Sequence, residues 1–269
     1  MKYSIVVLLV AVWISACASE EQNCSFAGYP ERPDDMPPTA YLLFIDRSAS
    51  ADTDTAYTYS IPSINRYLES RVKPGDPLKV YAIQSNTVSN PPLYNEEAPA
   101  LMLSGTKLAE YQTAGGKTRE RMCTEQLSAF AKTRTLAVGT LNRTARAQLD
   151  ATKRWTDVYG AFTLARNAQL DGAAEVHLLV QSDMIHSTPD FELSEDYLTS
   201  PEQATELGRV DAAKLGATQS VSGLDWPALH LTVYLPKRYS YTSGYRALIR
   251  PYWRAFGEAV GMGEVRFVE

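Results

Sequence analysis

The sequence predicts an α/β fold in which a doubly wound, mainly parallel sheet is flanked by helices. Two short apolar runs, 40–45 (AYLLFI) and 176–181 (VHLLVQ), are typical of strands that are buried on both faces. Segments with helical spacing lie between them, and strands that alternate with helices indicate a parallel sheet. The 269 residues allow one generous domain or two small ones, and no shift in composition marks a boundary. We therefore expect a single domain.

The other elements are predicted from local patterns. After the first strand, Ile61, Ile64 and Leu68 fall on one helical face, with Ser60 as the expected cap and Pro62 in the first turn. The stretch from about 86 to 155 is expected to be a mainly helical insertion. The remaining predictions are a strand at 78–83, a helix from Ser200 with a capping box to Gln203, a strand at 230–235, a helix at 243–261 that Pro251 kinks or restarts, and an edge strand at 265–268.

Residues 1–16 have the pattern of an export signal. Lys2 precedes an apolar run at 5–14, and small residues stand before Cys17. The run is too short to cross a bilayer whose hydrocarbon core is about 30 Å thick. The tetrapeptide 14–17 (ISAC) resembles a bacterial lipobox, which implies a lipid on Cys17. An ordinary signal peptide that is cut nearby is the alternative.

The resemblance to a lipobox implies a lipoprotein of the cell envelope. Ala18 and Ser19 follow Cys17, and the lack of Asp there implies residence in the outer membrane, facing the periplasm or the surface. Residues 17–38 are polar and interrupted by Pro, so we expect a lipidated, disordered tether ahead of a domain at 39–269.

The chain contains 3 Cys. If Cys17 carries lipid, Cys24 and Cys123 remain, and the oxidising environment of exported proteins favours a disulfide between them. That bond would tie the tether to the domain. Two unpaired thiols are the alternative.

The composition excludes several classes of protein. A hydrophobic content of 45%, with 15 Gly and 15 Pro, excludes disorder and collagen. With 26 Lys+Arg against 31 Asp+Glu and no basic block, nucleic acid is not an expected partner. Residues 116–118 (GKT) imitate the end of a phosphate-binding loop, but Tyr111 replaces its first Gly, so no nucleotide is expected.

Residues whose side-chain oxygen atoms can bind a metal ion follow the predicted buried strands. Asp46, Ser48 and Ser50 come directly after the first apolar run, and Asp183 follows the second one. Open parallel sheets bind ligands at the carboxyl ends of their strands, and Thr156 is expected to open a helix that reaches the same edge. Hard oxygen atoms suit Mg²⁺ or Mn²⁺. Two carboxylates and weak hydroxyl ligands would leave the ion incompletely coordinated, which invites a carboxylate from outside.

These residues resemble the metal site of a von Willebrand factor type A domain. The matching motifs, from about residue 39 to the C-terminus, are DxSxS at 46–50, PGD at 74–76, TDxYGA at 156–161 and SD at 182–183. The resemblance implies a metal-ion-dependent adhesion site in which Ser48 and Ser50 bind Mg²⁺ directly. It implies that Asp46, Thr156 and Asp183 bind the ion directly or through water. A Glu or Asp of a protein partner would then complete the octahedron.

Two positions depart from the family pattern. The family often has Gly two residues before the Thr and directly after the final Asp, where this chain has Arg154 and Met184. Bulk at these positions is expected to narrow the site or to change its affinity for metal.

Two other functions remain open. A metal-dependent hydrolase or phosphatase would use Asp46 or Ser48 as its nucleophile, but a convincing base is lacking. His177 and His230 belong to apolar runs and are interpreted as packing residues, whereas His186 is near enough in sequence to approach the site. A metal-free structural lipoprotein is the second alternative, because a single Ser, Thr or Asp after a strand usually caps a helix. We expect a binding protein and not an enzyme.

Two loops are expected at the same edge of the sheet. The loop after 230–235 carries Arg238, Tyr239 and Tyr241, with Tyr245 beyond them, and Tyr and Arg are favoured in protein interfaces. A solvated loop is the alternative. The loop after the predicted site could offer a carboxylate to the metal in cis from Asp190, Glu192, Glu195 or Asp196.

Overall fold

The structure of the protein is a computed structural model. It describes residues 36–47, 57–99, 105–147, 155–189, 191–193, 197–236 and 243–268. These residues contain eight β-strands and six α-helices. The strands are β1 (Thr39–Asp46), β2 (Pro77–Ile83), β3 (Tyr94–Glu97), β4 (Glu175–Gln181), β5 (Ser187–Thr188), β6 (Phe191–Glu192), β7 (Leu229–Tyr234) and β8 (Glu264–Val268). The helices are α1 (Ile61–Arg71), α2 (Gly105–Thr113), α3 (Gly116–Arg146), α4 (Gly160–Leu170), α5 (Pro201–Gly216) and α6 (Ser243–Val260). The predicted export signal and residues 17–35 of the predicted tether lie outside the described ranges.

Six strands form one sheet in the order β3-β2-β1-β4-β7-β8. All neighbours pair in parallel except β2 and β3, which are antiparallel at one edge. This is the strand order of the doubly wound dinucleotide-binding fold, in which the order reverses at a switch point between two central strands. Here the switch point lies between β1 and β4. The predicted α/β fold class is confirmed, and the predicted edge strand β8 lies at the other edge.

Helices cover both faces of the sheet. Alternate side chains of β1 point to opposite faces, so Leu42 and Phe44 pack in one core with α4, α5 and α6. Leu43 and Ile45 pack in a second core with α1 and α3. All four side chains are fully buried. Burial on both faces explains the uninterrupted apolar run from which this strand is predicted.

The two predicted helix caps have different outcomes. At the start of α5, Ser200 Oγ accepts a hydrogen bond from the Gln203 N–H at 3.2 Å, as predicted. Ser60 precedes α1, but its side chain does not cap that helix. Its Oγ donates to the Tyr57 carbonyl oxygen and accepts from Gln181 Nε2, both at 2.6 Å. The prediction for Ser60 was wrong because the buried amide of Gln181 takes the hydroxyl as its partner.

The region from 86 to 155 contains the helices α2 and α3 and also the strand β3, which the sequence pattern does not predict. β3 reads Tyr-Asn-Glu-Glu, and the last three of these side chains are exposed. Its backbone pairs with β2, where Leu78 stands opposite Glu96. An edge strand with exposed acidic side chains carries no alternation of apolar residues, so hydrophobic periodicity cannot reveal it.

The helix α6 continues through Pro251 as one element, so the proline does not restart it. It packs closely against α5. A Cβ atom on Gly208 of α5 would lie 2.3 Å from the carbonyl oxygen of Tyr252, so only glycine permits this approach. None of the helices within the described ranges has both the length and the apolarity needed to cross a bilayer.

Arg47 holds the C-terminus of α3. Its Nη1 donates to the carbonyl oxygens of Thr144 and Ala147, at 2.7 Å each, where the helix dipole favours a cation. We expect Arg47→Met to lower the free energy of unfolding by about 1–2 kcal/mol in urea denaturation. Arg121→Met removes an exposed ion pair with Glu125 and should cost less than about 0.5 kcal/mol. Equal losses in the two variants would contradict the proposed role of Arg47.

Candidate metal centre

The carboxyl ends of β1 and β4 meet at the switch point of the sheet. Ile45 pairs with Gln181, so Asp46 and Ser182 stand at neighbouring strand ends. Asp46 is 2% exposed, and Asp183, which follows Ser182, is 1% exposed. Open α/β sheets bind ligands outside the carboxyl ends of strands at this point. The two predicted carboxylates therefore lie where the topology favours a ligand.

Ser182 connects the two strand ends. Its Oγ donates a hydrogen bond to Asp46 Oδ2 at 2.7 Å and accepts one from the Met184 N–H at 2.8 Å. Because Ser182 is fully buried, these bonds fix both the Asp46 carboxylate and the loop after β4. Sequence reasoning noted this Ser but missed its role. The signal that could have found it is the placement of a hydroxyl and a carboxylate on paired strand ends.

Thr156 lies at the same edge and is 2% exposed. Its backbone forms an isolated antiparallel bridge with Ser187, in the chain that leaves β4. The next N–H, that of Asp157, donates to the carbonyl oxygen of Gln84 at 2.9 Å, directly after β2. In the sheet β1 lies between β2 and β4, so the segment with Thr156 connects the loops on either side of the Asp46 strand end.

The prediction that Thr156 opens a helix was wrong, because α4 begins four residues later at Gly160. Asp157 takes the capping role instead. Its Oδ1 accepts from the Gly160 N–H at 2.9 Å and its Oδ2 from the Thr87 N–H at 3.2 Å. Burial raises the pKa of the Asp157 carboxyl, and these two hydrogen bonds oppose that change. A Cβ atom at Gly160 would lie 2.4 Å from Asp157 Oδ2, so glycine is required for this arrangement.

Asp183 and Met184 form a tight turn after β4. Asp183 Oδ1 accepts a hydrogen bond from the Ile185 N–H at 3.0 Å, a contact typical of Asp in turns. Met184 has φ of 65°, in the left-handed region that favours glycine. Its side chain is fully buried, and its carbonyl oxygen accepts from Trp253 Nε1 at 3.0 Å. Met184 therefore adopts a backbone conformation that glycine usually adopts, and the packing of its side chain stabilises this strained residue.

At Met184, replacement by Gly is expected to lower stability less than replacement by Ala, which is the reverse of the usual order. Met184→Ala loses buried side-chain atoms but keeps the strain, so it should lower the free energy of unfolding by about 2.5 kcal/mol. Met184→Gly relieves about 1 kcal/mol of strain and should cost about 1.5 kcal/mol. Chemical denaturation of both variants measures the order. At Met122, inside α3, Gly should be worse than Ala by about 1 kcal/mol, and the same order at Met184 would contradict the strain.

His186 is buried among aromatic rings rather than solvated. It is 4% exposed, and its imidazole stacks on the Tyr159 ring with centroids 4.0 Å apart. Burial lowers the pKa of His186 to about 4, while the negative charge of Asp211 has a smaller, raising effect. The imidazole is therefore neutral near pH 7. The other two histidines, His177 and His230, are paired near the opposite, amino edge of the sheet.

Tyr245 is buried in the core, so its predicted role in a partner contact was wrong. It is 2% exposed, and its hydroxyl donates to the Leu193 carbonyl oxygen at 2.5 Å, because α6 carries it into the core. Cys123 is disulfide-bonded. The predicted residues outside the described ranges are Cys17, Cys24, Ser48, Ser50, Arg154, Asp190, Glu195, Asp196, Arg238, Tyr239 and Tyr241.

The donors at the switch point fit a hard divalent cation. Asp46 and Asp183 supply carboxylate oxygens, and Thr156 supplies a hydroxyl, all of them buried at one edge. Mg²⁺ is usually bound through one or two carboxylates together with neutral oxygen ligands. The described residues therefore have the chemistry that such an ion requires.

No family model matches this sequence, and no curated protein matches it. The ArnB paralog VWA2 from Sulfolobus acidocaldarius is a similar solved structure, with 12% identity and a TM-score of 0.39 over 87% of this chain and 42% of that chain. Human COPII-coat protein Sec24c has 12% identity and a TM-score of 0.41 over 91% of this chain and 30% of that chain. Manganese-loaded Plasmodium vivax TRAP protein has 12% identity and a TM-score of 0.35 over 83% of this chain and 71% of that chain.

This chain spans less than half the length of the first two of these structures. At 12% identity, the three likenesses concern the fold alone. The role of the switch point therefore has to be argued from the residues of this chain.

Proposed function

We propose that this chain is a binding protein that holds Mg²⁺ or Mn²⁺ at the carboxyl edge of its sheet. The ion binds a carboxylate of a protein partner. The observation that supports this most directly is the meeting of Asp46 and Asp183 at the switch point, with Thr156 held at the same edge. Ser48 and Ser50, which follow Asp46 in the sequence, complete the proposed ligand set.

The charge of this ligand set favours a ligand from outside. Asp46 and Asp183 together balance the charge of one divalent ion, and Thr156, Ser48 and Ser50 add only neutral hydroxyls. Hydroxyls are weak ligands, so the ion stays electrophilic and takes a further oxygen ligand readily. A Glu or Asp side chain of a partner supplies that oxygen as well as a favourable charge.

The proposed role is binding and not catalysis. His186 is packed against Tyr159 and has a depressed pKa, while His177 and His230 pair across β4 and β7 near the amino edge. Packing holds the neutral His186 imidazole in place, and His177 and His230 lie at the other edge of the sheet from the proposed site. An ion that recruits a carboxylate needs no general base, and the buried aromatic surroundings of His186 support that simpler role.

The proposed location is the cell envelope, with the chain anchored by lipid on Cys17 and residing in the outer membrane. The lipobox-like sequence at 14–17 supports this proposal. Labelling of expressing cells with radioactive palmitate tests it. Label should enter the parent chain and be lost in Cys17→Ser, and a labelled Cys17→Ser variant would contradict the anchor.

Titration calorimetry with Mg²⁺ and with Mn²⁺ tests the metal site. The parent chain should show saturable binding, and Ser48→Ala/Ser50→Ala should show none, because two direct ligands are lost. The matched control, Ser70→Ala/Ser220→Ala, removes two hydroxyls from other parts of the surface and should bind like the parent. Equal binding by the parent and the Ser48→Ala/Ser50→Ala variant would contradict the proposed ligand set.

The partner is tested separately by capture from envelope extracts. The parent should retain a protein in Mg²⁺ and release it with a chelator, and the Ser48→Ala/Ser50→Ala variant should retain none. Retention that is insensitive to the chelator would contradict a metal-bridged contact.

A further inference from the structure

We propose that Glu175, His177 and His230 form a second metal site, of the kind that binds Zn²⁺, near the amino edge of the sheet. The ligating atoms of these three side chains all lie within 4.8 Å of one another. The site is separate from the oxygen-rich site at the carboxyl edge and does not depend on the function proposed for that site.

The sheet places the three side chains on one face. Glu175 and His177 are two residues apart on β4, and side chains alternate between the faces of a strand. His230 of β7 pairs directly with His177 in the parallel register. The two imidazole rings stack with centroids 4.6 Å apart and an angle of 16° between their planes. This juxtaposition follows from strand pairing, so it is built into the rigid centre of the fold.

The spacing between His177 and Glu175 fits a shared metal ion better than a hydrogen bond. His177 Nε2 and Glu175 Oε2 are 3.7 Å apart, which is too long for a hydrogen bond. In a tetrahedral zinc site with bonds of about 2.1 Å, two ligating atoms are about 3.4 Å apart. A small rotation of the Glu175 side chain therefore brings both atoms to bonding distance of one ion.

Tyr67 orients the central ligand. Its hydroxyl lies 2.8 Å from His177 Nδ1, and this contact leaves Nε2 directed to Glu175. Histidines that bind metals commonly donate their other ring N–H to an oxygen, which fixes the tautomer and the ring orientation. A tyrosine oxygen on α1 takes that place here. The arrangement gives the site a supporting hydrogen bond before any ion enters.

The site is open on one side. The His177 side chain is 5% exposed, whereas the Glu175 side chain is 55% exposed, and His230 is half-buried. An ion can enter past Glu175 and be held against the buried His177. A Cβ atom on Gly263 would lie 2.3 Å from the carbonyl oxygen of Pro227 and 3.1 Å from His230 Cε1, so the close backbone approach beside that ring requires glycine. Three protein ligands leave the fourth tetrahedral position to water.

The donors select the ion. Two imidazoles with one carboxylate suit Zn²⁺ and neighbouring transition ions, whereas Mg²⁺ prefers oxygen ligands alone. The other interpretation is packing alone, since His177 also stacks on Tyr41 with centroids 5.2 Å apart. Packing does not require Glu175, so a substitution there separates the two interpretations.

Zn²⁺ titration of the full chain, without a histidine tag and after treatment with a chelator, tests the proposal. The parent should bind one Zn²⁺, with an affinity that falls at least about tenfold in Glu175→Gln and further in His230→Gln. Glu175 is exposed, so its substitution should leave the fold intact. Glu258→Gln, another exposed acid on α6, should bind like the parent. Ser48→Ala/Ser50→Ala should also bind Zn²⁺ like the parent, which separates this site from the carboxyl edge.

Co²⁺ provides a spectroscopic readout of the same site. The parent should develop the visible absorption of a four-coordinate Co²⁺ ion, and His230→Gln should not. A parent that binds no Zn²⁺ would overturn the proposal and leave packing as the role of the histidines. Binding that is unchanged in both Glu175→Gln and His230→Gln would overturn it as well.

Discussion

Replacing Trp253 by Ala is expected to lower the free energy of unfolding by about 4 kcal/mol. Trp253 is fully buried in the core between the sheet and α6. Its ring lies within 6.1 Å, centroid to centroid, of the rings of Phe162 and Phe256, and it meets Tyr252 edge-on. Truncation to a methyl group leaves a cavity that these rigid rings cannot fill.

The matched variant Trp253→Phe separates packing from hydrogen bonding. It keeps most of the ring contacts but loses the Nε1–H that donates to the Met184 carbonyl oxygen at 3.0 Å. We expect a loss of about 1–2 kcal/mol, because one buried acceptor is left without its donor. Urea denaturation of both variants gives the two values. Equal losses would show that the hydrogen bond, and not the packed ring, dominates the role of Trp253.

Lowering the pH from 6.5 to 4 is expected to destabilise the parent by about 3 kcal/mol more than the variant His186→Phe. The pKa of His186 is about 4 in the folded chain and 6.5 when it is exposed by unfolding. Each pKa unit corresponds to about 1.4 kcal/mol. Between these values the unfolded state binds a proton that the folded state does not bind, so stability falls as the pH falls.

Phe at position 186 keeps an aromatic ring against Tyr159 and Phe191 but cannot titrate. Asp211, the charged group that acts on His186, is present in both proteins. The titration of Asp211 itself therefore cancels when the free energies of unfolding of the two proteins are subtracted. The measurement is the difference in the free energy of unfolding between the parent and the variant across this pH range. Above about pH 7.5, where the imidazole is neutral in both states, that difference should be constant. A difference that stays constant down to pH 4 would contradict the depressed pKa.

The sequence predicts the buried centre of the fold well because a strand that is buried on both faces appears as a short apolar run. The run 40–45 corresponds to β1, and the run at 176–181 corresponds to β4. Asp46 directly follows the first run and Asp183 follows the second after one residue, so the sequence predicts both as candidate ligands. β3 has no apolar run, since its side chains are largely exposed and only its backbone pairing with β2 defines it.

The contacts that sequence reasoning missed depend on strand order. Ser182 bonds to Asp46, which is 136 residues away, and no local pattern shows that β1 and β4 are neighbours. His177 and His230 lie within apolar runs, which favours an interpretation as packing residues. Their pairing depends on the register of β4 against β7, and a shift of one residue would move His230 to the other face.

The direction of β1 determines which edge of the sheet receives the N-terminal segment. The strand has 8 residues and therefore carries the chain about 26 Å from the amino edge to the carboxyl edge. If lipid is attached to Cys17, the anchor enters the domain at Thr39, on the side of Glu175, its register partner. The edge with Asp46 is then the end of the sheet farther from the point where the anchored segment enters, which leaves it accessible to a partner.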